Sequence, residues 1–370
     1  MRVLIIADES FASRERAMLA RIEVGLADEG VRIVHAIPSQ SAHWHHAEVY
    51  SQTILYQDRG LVISRPWRVK QMLAALRAAV GGDEGKPVDI VHAFGAGCWQ
   101  IAGEIARQTG ASLALEVVSA SGAAAATAGR ASGSAGPVYF LPDPALERPV
   151  RGDDPSIATR LTPWGVHTPA MARSIFEPGK AVSIVMAGSG ADPDAWKTVV
   201  QAIAAIVRDF PDVMVFADAA GVRAGGTWAD ITKLRIHEQL TLIPDMEARR
   251  ELTLQGDVLV LPESRGQQRS LTLDAMAAGM VVVAAADPLV SVLQDGRTAR
   301  VVDRPNAEAW TIALRGLLQN AGEARVLAAS AREHVRQHCR ASTQVAAVVG
   351  AYEWMLAGES IPFGPSGNVR

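Results

Sequence analysis

Residues 256–302 constrain the fold of this chain more than any other stretch. An apolar run at residues 258–261 ends at a proline, a polar loop follows, and apolar residues return with helical spacing over residues 271–278. A second apolar run at residues 281–285 has the length and composition of a buried parallel strand. The order strand, loop, helix, strand and a further helix predicts an α/β unit with a site-like loop at a strand end.

The same alternation of strand and helix patterns fills the rest of the chain. In the first half we expect strands at residues 3–7, 31–37, 88–93 and 112–118, and helices at residues 14–29, 66–80 and 99–109. In the second half we expect strands at residues 181–188, 212–217 and 240–243, and helices at residues 196–206, 246–255, 306–318, 322–339 and 343–356. With 370 residues, 49% of them hydrophobic, the chain is long enough for two domains with separate cores.

Composition excludes several classes of function. The net charge of −3 gives no basic footprint for nucleic acid. Cys98 and Cys339 are too far apart in sequence to suggest a disulfide framework or a metal knuckle. The chain opens on a short strand-like run instead of a signal peptide, and no apolar run has the length of a membrane span. We therefore expect a cytoplasmic protein in a reducing environment.

The segment Asp274-Ala275-Met276-Ala277-Ala278-Gly279-Met280-Val281-Val282 resembles the second half of a known glycosyltransferase signature. The family is the GT-B retaining glycosyltransferases (glycosyl transferases group 1, family 4-like), whose signature has two glutamates separated by seven residues. Asp274 stands at the second acidic position. The resemblance implies that it accepts hydrogen bonds from the ribose hydroxyls of a nucleotide, a role suited to an acceptor-only carboxylate.

The first acidic position of the signature is changed in this chain. Gly266 stands where the family has the glutamate that contacts the donor sugar, and Gln267-Gln268-Arg269 replaces its usual Gly-Phe-Gly. The backbone N–H groups around Ser270, Leu271 and Thr272, at the start of the next helix, are expected to cradle a diphosphate. A helix N-terminus attracts anions whatever its side chains are.

A second family motif lies at residues 181–188, a strand that ends in Gly188. The family continues with an arginine and, five residues later, a lysine, which together neutralise the leaving diphosphate. Ser189 and Asp194 stand at those positions, so both cations are absent there. Lys197, Arg265 and Arg269 are candidates to replace the charge, with Arg269 favoured; the alternative is that these basic residues are simply solvated.

His92 lies at the end of a buried strand, in a segment that resembles the family's His-Ala-His-Gly, where a histidine faces the cleft. It is therefore a candidate catalytic residue, and the alternative is a core histidine with satisfied ring nitrogens.

The Asp192-Pro193-Asp194 segment matches a metal-binding spacing but is more typical of a helix N-cap. Likewise, His43-Trp44-His45-His46 is typical of an exposed loop, and the Ala/Gly/Ser-rich residues 122–136 predict a mobile loop.

The resemblance implies a GT-B fold: two Rossmann-like domains that face each other across a cleft, with a C-terminal helix that crosses back to the N-terminal domain. The expected boundaries are an acceptor-side domain at residues 1–165, a nucleotide-sugar-side domain at residues 166–345, and the cross-over helix and tail at residues 346–370. Basic and apolar residues in the helix at 66–80 predict either weak peripheral membrane contact, at the inner face of the membrane, or an ordinary amphipathic surface helix.

Two functions follow from these patterns. The first is a transferase, of the hexosyltransferase type, that moves a sugar from a nucleotide-sugar donor to a glycan, lipid or small-molecule acceptor without a cofactor or metal. The second is a catalytically silent GT-B relative that acts as a binding or assembly partner in a polysaccharide or glycolipid pathway. The family frame favours the first function, while Gly266, Ser189 and Asp194 favour the second. The base, sugar, acceptor and oligomeric state do not follow from the sequence, because the contacts that decide them lie on loops.

Overall fold

The computed structural model of the chain describes residues 1–44, 51–58, 64–81, 86–128 and 136–358. The chain divides into two compact units, which are Met1–Pro163 with Ser342–Arg370, and Trp164–Ala341. Each unit contains one parallel sheet with helices packed on it. The predicted α/β class with two Rossmann-like units is therefore confirmed.

Unit 1 is built on a seven-stranded parallel sheet. Its strands are β1 (Arg2–Ala7), β2 (Arg32–Pro38), β3 (Ser51–Tyr56), β4 (Ile90–Phe94), β5 (Ser112–Glu116), β6 (Val138–Leu141) and β7 (Thr159–Leu161), in the spatial order β3-β2-β1-β4-β5-β6-β7. Its helices are α1 (Glu9–Ala12), α2 (Arg16–Asp28), α3 (Arg65–Val80), α4 (Trp99–Thr109), α5 (Ala120–Ala128), α6 (Glu147–Arg151) and α14 (Ala341–Ala357).

The apolar patterning explains these elements. Strand β1 is buried from Val3 to Ala7 because helices cover a doubly wound sheet on both faces. Helix α4 buries Ile101, Ala102 and Ile105, which recur at helical spacing, and ends at Gly110. The C-terminal helix α14 packs in unit 1, as predicted, and its Tyr352 is fully buried.

Unit 2 is built on a six-stranded parallel sheet. Its strands are β8 (Ser183–Met186), β9 (Met214–Asp218), β10 (Leu240–Ile243), β11 (Val258–Leu261), β12 (Val281–Ala285) and β13 (Arg300–Val302), in the spatial order β10-β9-β8-β11-β12-β13. Its helices are α7 (Pro193–Asp209), α8 (Ala219–Ala224), α9 (Trp228–Lys233), α10 (Arg250–Thr253), α11 (Ser270–Ala278), α12 (Ala307–Gln319) and α13 (Ala321–His338).

Helix α7 shows how local sequence sets these elements. The Asp192 carboxylate accepts a hydrogen bond from the Ala195 N–H at 3.1 Å, and Pro193 occupies the first turn, so the segment is a helix cap as predicted. Trp196, Val199 and Ile203 then lie on the buried face of the helix, in the core of the unit. Helix α11 differs, because eight of its nine residues are buried.

Several predicted elements were wrong. Residues 286–299 form turns instead of a helix, because the Asp287 carboxylate accepts from the Leu289 N–H at 3.0 Å and holds the chain in a turn at Pro288. The helix expected at residues 246–255 is only the short α10. In the Ala/Gly/Ser-rich segment, residues 120–128 form α5, since its alanines favour helix, and residues 129–135 lie outside the described part of the chain.

The region between β2 and α3 also differs from the prediction. It was expected to be a loop, yet Ser51–Tyr56 forms β3, an edge strand paired with β2. Of the histidines in the 43–46 segment, His45 and His46 lie outside the described residues. Helix α3 buries Val69, Met72 and Leu76. Among the described residues, no helix has both the length and the apolar character needed to span a bilayer.

Candidate functional site in unit 2

The chain order of the unit 2 sheet reverses between two neighbouring strands, β8 and β11. In open α/β sheets, ligands bind outside the carboxyl ends of the strands at such a reversal. Gly188 and Ser189 come shortly after β8, and Glu263 comes shortly after β11. The reversal therefore places these two loops side by side, and we take this edge of the sheet as the candidate site.

The Glu263 carboxylate binds the loop that follows β8. Its Oε2 accepts from the Ser189 N–H at 2.5 Å, and its Oε1 accepts from the Asp192 N–H at 2.9 Å. The Ser189 hydroxyl donates within 3.0 Å of both carboxylate oxygens. Gly188 permits this approach, since a Cβ there would lie 2.8 Å from Glu263 Oε2. The half-buried Glu263 carboxylate thus occupies the backbone donors of the loop where the family motif has an arginine.

The three candidate replacement cations lie in different settings. Arg265 is exposed, and its Nη1 donates to the carbonyl of Ala191 at 3.0 Å, so its guanidinium lies against the loop after β8. Lys197 is exposed on α7, one turn beyond the exposed Asp194. Arg269 is half-buried at the N-cap position of α11 and makes no capping hydrogen bond with its side chain. The contact with Ala191 makes Arg265 the best placed of the three.

Gly266 lies in the polar loop between β11 and α11. Its backbone has φ +61°, a left-handed conformation that favours glycine, and its N–H donates to the Asp287 carboxylate at 2.6 Å. Gln268 is buried and donates to the carbonyl of Leu289 at 2.7 Å. The loop that carries the changed acidic position is therefore held by the turn that follows β12.

Helix α11 begins at the end of this loop. Ser270, Leu271 and Thr272 form its first turn and are all buried. The positive end of the helix dipole lies at this turn, and the Thr272 N–H already donates to the Arg269 carbonyl at 3.2 Å. The Ser270 hydroxyl is buried and accepts a hydrogen bond from Arg250 Nη2 at 2.8 Å.

Asp274 lies one turn further along α11 and forms a buried ion pair. Arg250 donates to its Oδ2 from Nε at 2.9 Å and from Nη2 at 2.6 Å. Both residues are 8% exposed, and Glu247 also binds the guanidinium. Two charges buried together stabilise one another, and removal of either leaves the other uncompensated. The carboxylate predicted to bind ribose is thus engaged by a buried arginine in this structure.

His92, the candidate catalytic residue of unit 1, is buried among aromatic side chains. His92 is 1% exposed, its Nδ1 lies 2.7 Å from the Tyr352 hydroxyl, and its Nε2 lies 3.2 Å from the Glu116 carboxylate. The rings of Phe94 and Phe140 contact it at centroid distances of 4.2 and 4.7 Å. Both ring nitrogens have partners, which is the arrangement of the alternative interpretation, a satisfied core histidine.

A carboxylate also lies at the strand-order reversal of unit 1. Asp8 follows β1 and accepts from the N–H groups of Phe11 at 2.7 Å and Gly97 at 2.9 Å. Burial raises the pKa of Asp8 above its usual value, although these two backbone hydrogen bonds oppose the shift. Within the described ranges, no group of three or more histidine, cysteine, aspartate or glutamate side chains is arranged to hold a metal ion.

Comparison with known proteins identifies the second unit. Residues 181–320 match the family model described as Glycosyl transferases group 1. This stretch is similar to the glycosyl transferases group 1 family, and we call it the group 1 domain. It covers both loops of the candidate site and the Asp274 helix, so the predicted resemblance is confirmed on the residues that suggested it. No curated protein sequence matches the chain.

Solved structures extend the comparison from the group 1 domain to the whole fold. Sucrose-phosphate synthase from Thermosynechococcus elongatus matches with TM-score 0.74 and 14% identity, over 97% of this chain and 100% of that one. Anabaena HepE, in complex with UDP and glucose, matches with TM-score 0.71 and 12% identity, over 96% and 100%. WaaG, a glycosyltransferase involved in lipopolysaccharide biosynthesis, matches with TM-score 0.59 and 15% identity, over 94% and 99%. The fold is GT-B.

Sequence reasoning missed two residues that shape the group 1 domain site. Glu263 could have been noticed, because an acidic residue directly after a buried strand at the reversal of an open sheet points at the ligand position. Arg250 had no such signal. It lies 24 residues before Asp274, within the helix predicted at residues 246–255, and nothing in that pattern pairs it with Asp274.

Proposed function

We propose that this protein is a glycosyltransferase of the hexosyltransferase type that takes its sugar from a nucleotide-sugar donor bound by unit 2. The observation that carries the proposal is the coincidence of the group 1 family match with the strand-order reversal of unit 2. The acceptor is a glycan, a lipid or a small molecule bound on the unit 1 side. The donor is a substrate, so the reaction requires no cofactor.

Each part of the proposed donor site has a physical task. The start of α11, at Ser270, Leu271 and Thr272, attracts the diphosphate through its dipole and backbone. Arg265 stabilises the charge that develops on the leaving diphosphate, since its guanidinium already lies at the loop after β8. Asp274 accepts hydrogen bonds from the ribose hydroxyls through carboxylate lone pairs that do not bind Arg250.

The sugar and acceptor contacts come from other residues. Gly266 has no side chain to hold the donor sugar, so that task falls to backbone groups of the loop between β11 and α11. HepE was solved with UDP and glucose, which makes UDP the first nucleotide to test.

We place the protein in the cytoplasm, with weak contact at the inner membrane face through Trp67 and Lys70 of α3, both exposed.

A calorimetric titration with UDP, GDP and ADP tests donor binding, and release of nucleoside diphosphate from the matching sugar nucleotides in the presence of candidate acceptors tests turnover. Micromolar binding of one nucleoside diphosphate together with its release from the matching sugar nucleotide is the expected result. Binding of none of these nucleotides by folded protein would remove the proposal.

A catalytically silent relative is the second candidate, and specific observations favour it. Ser189, Asp194 and Gly266 replace the motif's charged residues, and Arg250 engages Asp274. Such a protein would keep the GT-B scaffold as a binding or assembly partner in a polysaccharide or glycolipid pathway. Nucleotide binding with no turnover, across a broad panel of sugar nucleotides and acceptors, would identify it.

A further inference from the structure

The loop after β8 has the donors of an oxyanion site, and a side chain of the same unit fills it. The N–H groups of Ser189 and Asp192 and the Ser189 hydroxyl all point at the Glu263 carboxylate, over 2.5 to 3.0 Å. A planar carboxylate and a tetrahedral phosphate both accept hydrogen bonds through oxygen atoms that carry negative charge. One set of backbone donors cannot serve both at once.

A further N–H group lies near Gly188 of the same loop. Trp196 is fully buried, and its indole Nε1 has no hydrogen-bond partner among the described residues. This Nε1 lies 3.1 Å from the point where a Cβ on Gly188 would stand, and Glu263 Oε2 lies 2.8 Å from that same point. Other buried indole N–H groups of the described residues, those of Trp99, Trp310 and Trp354, also have no partner, so it is the position of the Trp196 N–H beside Gly188 and Glu263 that matters here.

We propose that Glu263 is an internal competitor for this oxyanion position, and that a donor phosphate must displace its carboxylate before it can bind there. No covalent step is involved: the N–H groups of Ser189 and Asp192 exchange one acceptor for another, and a phosphate oxygen gains the Trp196 indole N–H. The inference rests on the proposed function, because it describes how access to that same donor site is restricted. The contact between Glu263 and the loop after β8 is thus autoinhibitory and lies within unit 2.

A purely structural role makes the opposite prediction for ligand affinity. If Glu263 only holds the loop after β8 in place, its removal loosens the loop and weakens anion binding or leaves it unchanged. If Glu263 competes, its removal frees the donors and takes away a like charge, so anion affinity rises. Loss of like-charge repulsion alone would raise affinity equally in Glu263→Gln and Glu263→Ala, so a larger rise when the whole side chain is removed is the result that identifies competition for the donors.

The test uses inorganic pyrophosphate, UDP and uridine as probes, titrated by calorimetry at fixed ionic strength into the full-length protein. The variants are Glu263→Gln and Glu263→Ala, with Glu251→Gln as the matched control for loss of one negative charge at an exposed position of the same unit. We expect pyrophosphate affinity to rise about tenfold or more in Glu263→Ala and less in Glu263→Gln, whose amide still has one acceptor oxygen. The Glu251→Gln control and uridine binding should not change.

Adding Trp196→Phe to Glu263→Ala tests the indole donor, because it removes the N–H and keeps an aromatic ring at this buried position. The double variant should lose part of the gained pyrophosphate affinity. Unchanged or weaker pyrophosphate binding in Glu263→Gln and Glu263→Ala overturns the proposal, as does an equal gain in Glu251→Gln; if Glu263→Ala does not fold, the near-isosteric Glu263→Gln decides alone. Wild-type UDP binding and sugar turnover decide the proposed function separately, since they do not depend on this comparison.

Discussion

Arg250 and Asp274 form a buried ion pair in which two guanidinium nitrogens donate to one carboxylate oxygen, at 2.9 and 2.6 Å. The pair joins the short helix α10 to α11, the helix whose first turn faces the candidate donor site. Asp274 thus has two roles to reconcile: a structural one that the contacts show, and the ribose-binding one that its position in the group 1 motif predicts.

The structural role gives the first prediction. Asp274→Ala leaves Arg250 buried with only Glu247 as an anionic partner, so the free energy of unfolding should fall by about 3–5 kcal/mol. Urea denaturation followed by circular dichroism measures it. The exposed Glu251→Ala on α10 is the control and should change stability by less than about 0.5 kcal/mol. A loss below about 1 kcal/mol in Asp274→Ala would show that the pair contributes little.

The ribose role needs a variant that folds. Asp274→Asn keeps an acceptor oxygen for Arg250 but loses the charge, and charge-assisted hydrogen bonds are about twice as strong as neutral ones. UDP affinity measured by calorimetry should therefore fall about tenfold. Uridine diphosphate binding that matches wild type, in a variant with a native circular dichroism spectrum, would remove Asp274 from the nucleotide site.

Strong periodic patterns made much of the fold predictable from the sequence. The strand at residues 281–285 and the helix at residues 99–109 have the predicted bounds, because continuous apolar runs and clear amphipathic spacing leave few alternatives. Edge strand β3 was missed, since its sequence Ser-Gln-Thr-Ile-Leu-Tyr is half polar. Helix α5 was missed because its Ala/Gly/Ser composition is shared with loops.

The candidate site was only partly predictable. Motif positions located the loops after β8 and β11 and the start of α11, since these follow from strand order in a doubly wound sheet. They did not reveal that Glu263 binds the β8 loop or that Arg250 pairs with Asp274. Such contacts depend on tertiary packing between segments 24 to 74 residues apart, and side-chain type alone does not determine them.

The contact between His92 and Tyr352 gives a prediction for unit 1. Tyr352→Phe removes the hydroxyl 2.7 Å from His92 Nδ1 and leaves that buried nitrogen without its partner. The free energy of unfolding should fall by about 1–3 kcal/mol. If His92 is a core residue, the turnover number of the folded variant at 25 °C stays at the wild-type value. A turnover loss of tenfold or more, with unchanged UDP affinity, would instead support the predicted catalytic role.

The environment of Cys98 predicts its reactivity. The thiol is fully buried, and burial raises its pKa well above the usual value, with the nearby Asp8 carboxylate as a further cause. The thiolate is the reactive form, so Cys98 should not react with Ellman's reagent at pH 8 in the native state. Comparison of wild type with Cys98→Ala should give equal native thiol counts and a difference of one thiol in urea. Rapid native labelling that Cys98→Ala abolishes would contradict the buried position.

The last prediction concerns the cation that a transferase needs at the leaving diphosphate. Arg265 contacts the loop after β8 through the Ala191 carbonyl, whereas Arg269 lies at the start of α11 and Lys197 points out from α7. A preorganised positive charge close to the leaving group is a large source of rate enhancement, and loss of one such group costs about 10²–10³ in kcat. We therefore expect Arg265→Ala to reduce donor turnover about a hundredfold, Arg269→Ala to reduce it less, and Lys197→Ala to leave it near the wild-type rate.

The measurement for these three variants is release of nucleoside diphosphate under saturating donor. Urea denaturation checks their stability, and loss of the exposed Arg265 side chain should cost under about 1 kcal/mol. Equal rates in wild type and Arg265→Ala would show that the diphosphate is neutralised elsewhere, and a larger effect of Arg269→Ala would return that role to the start of α11, where the sequence alone had placed it.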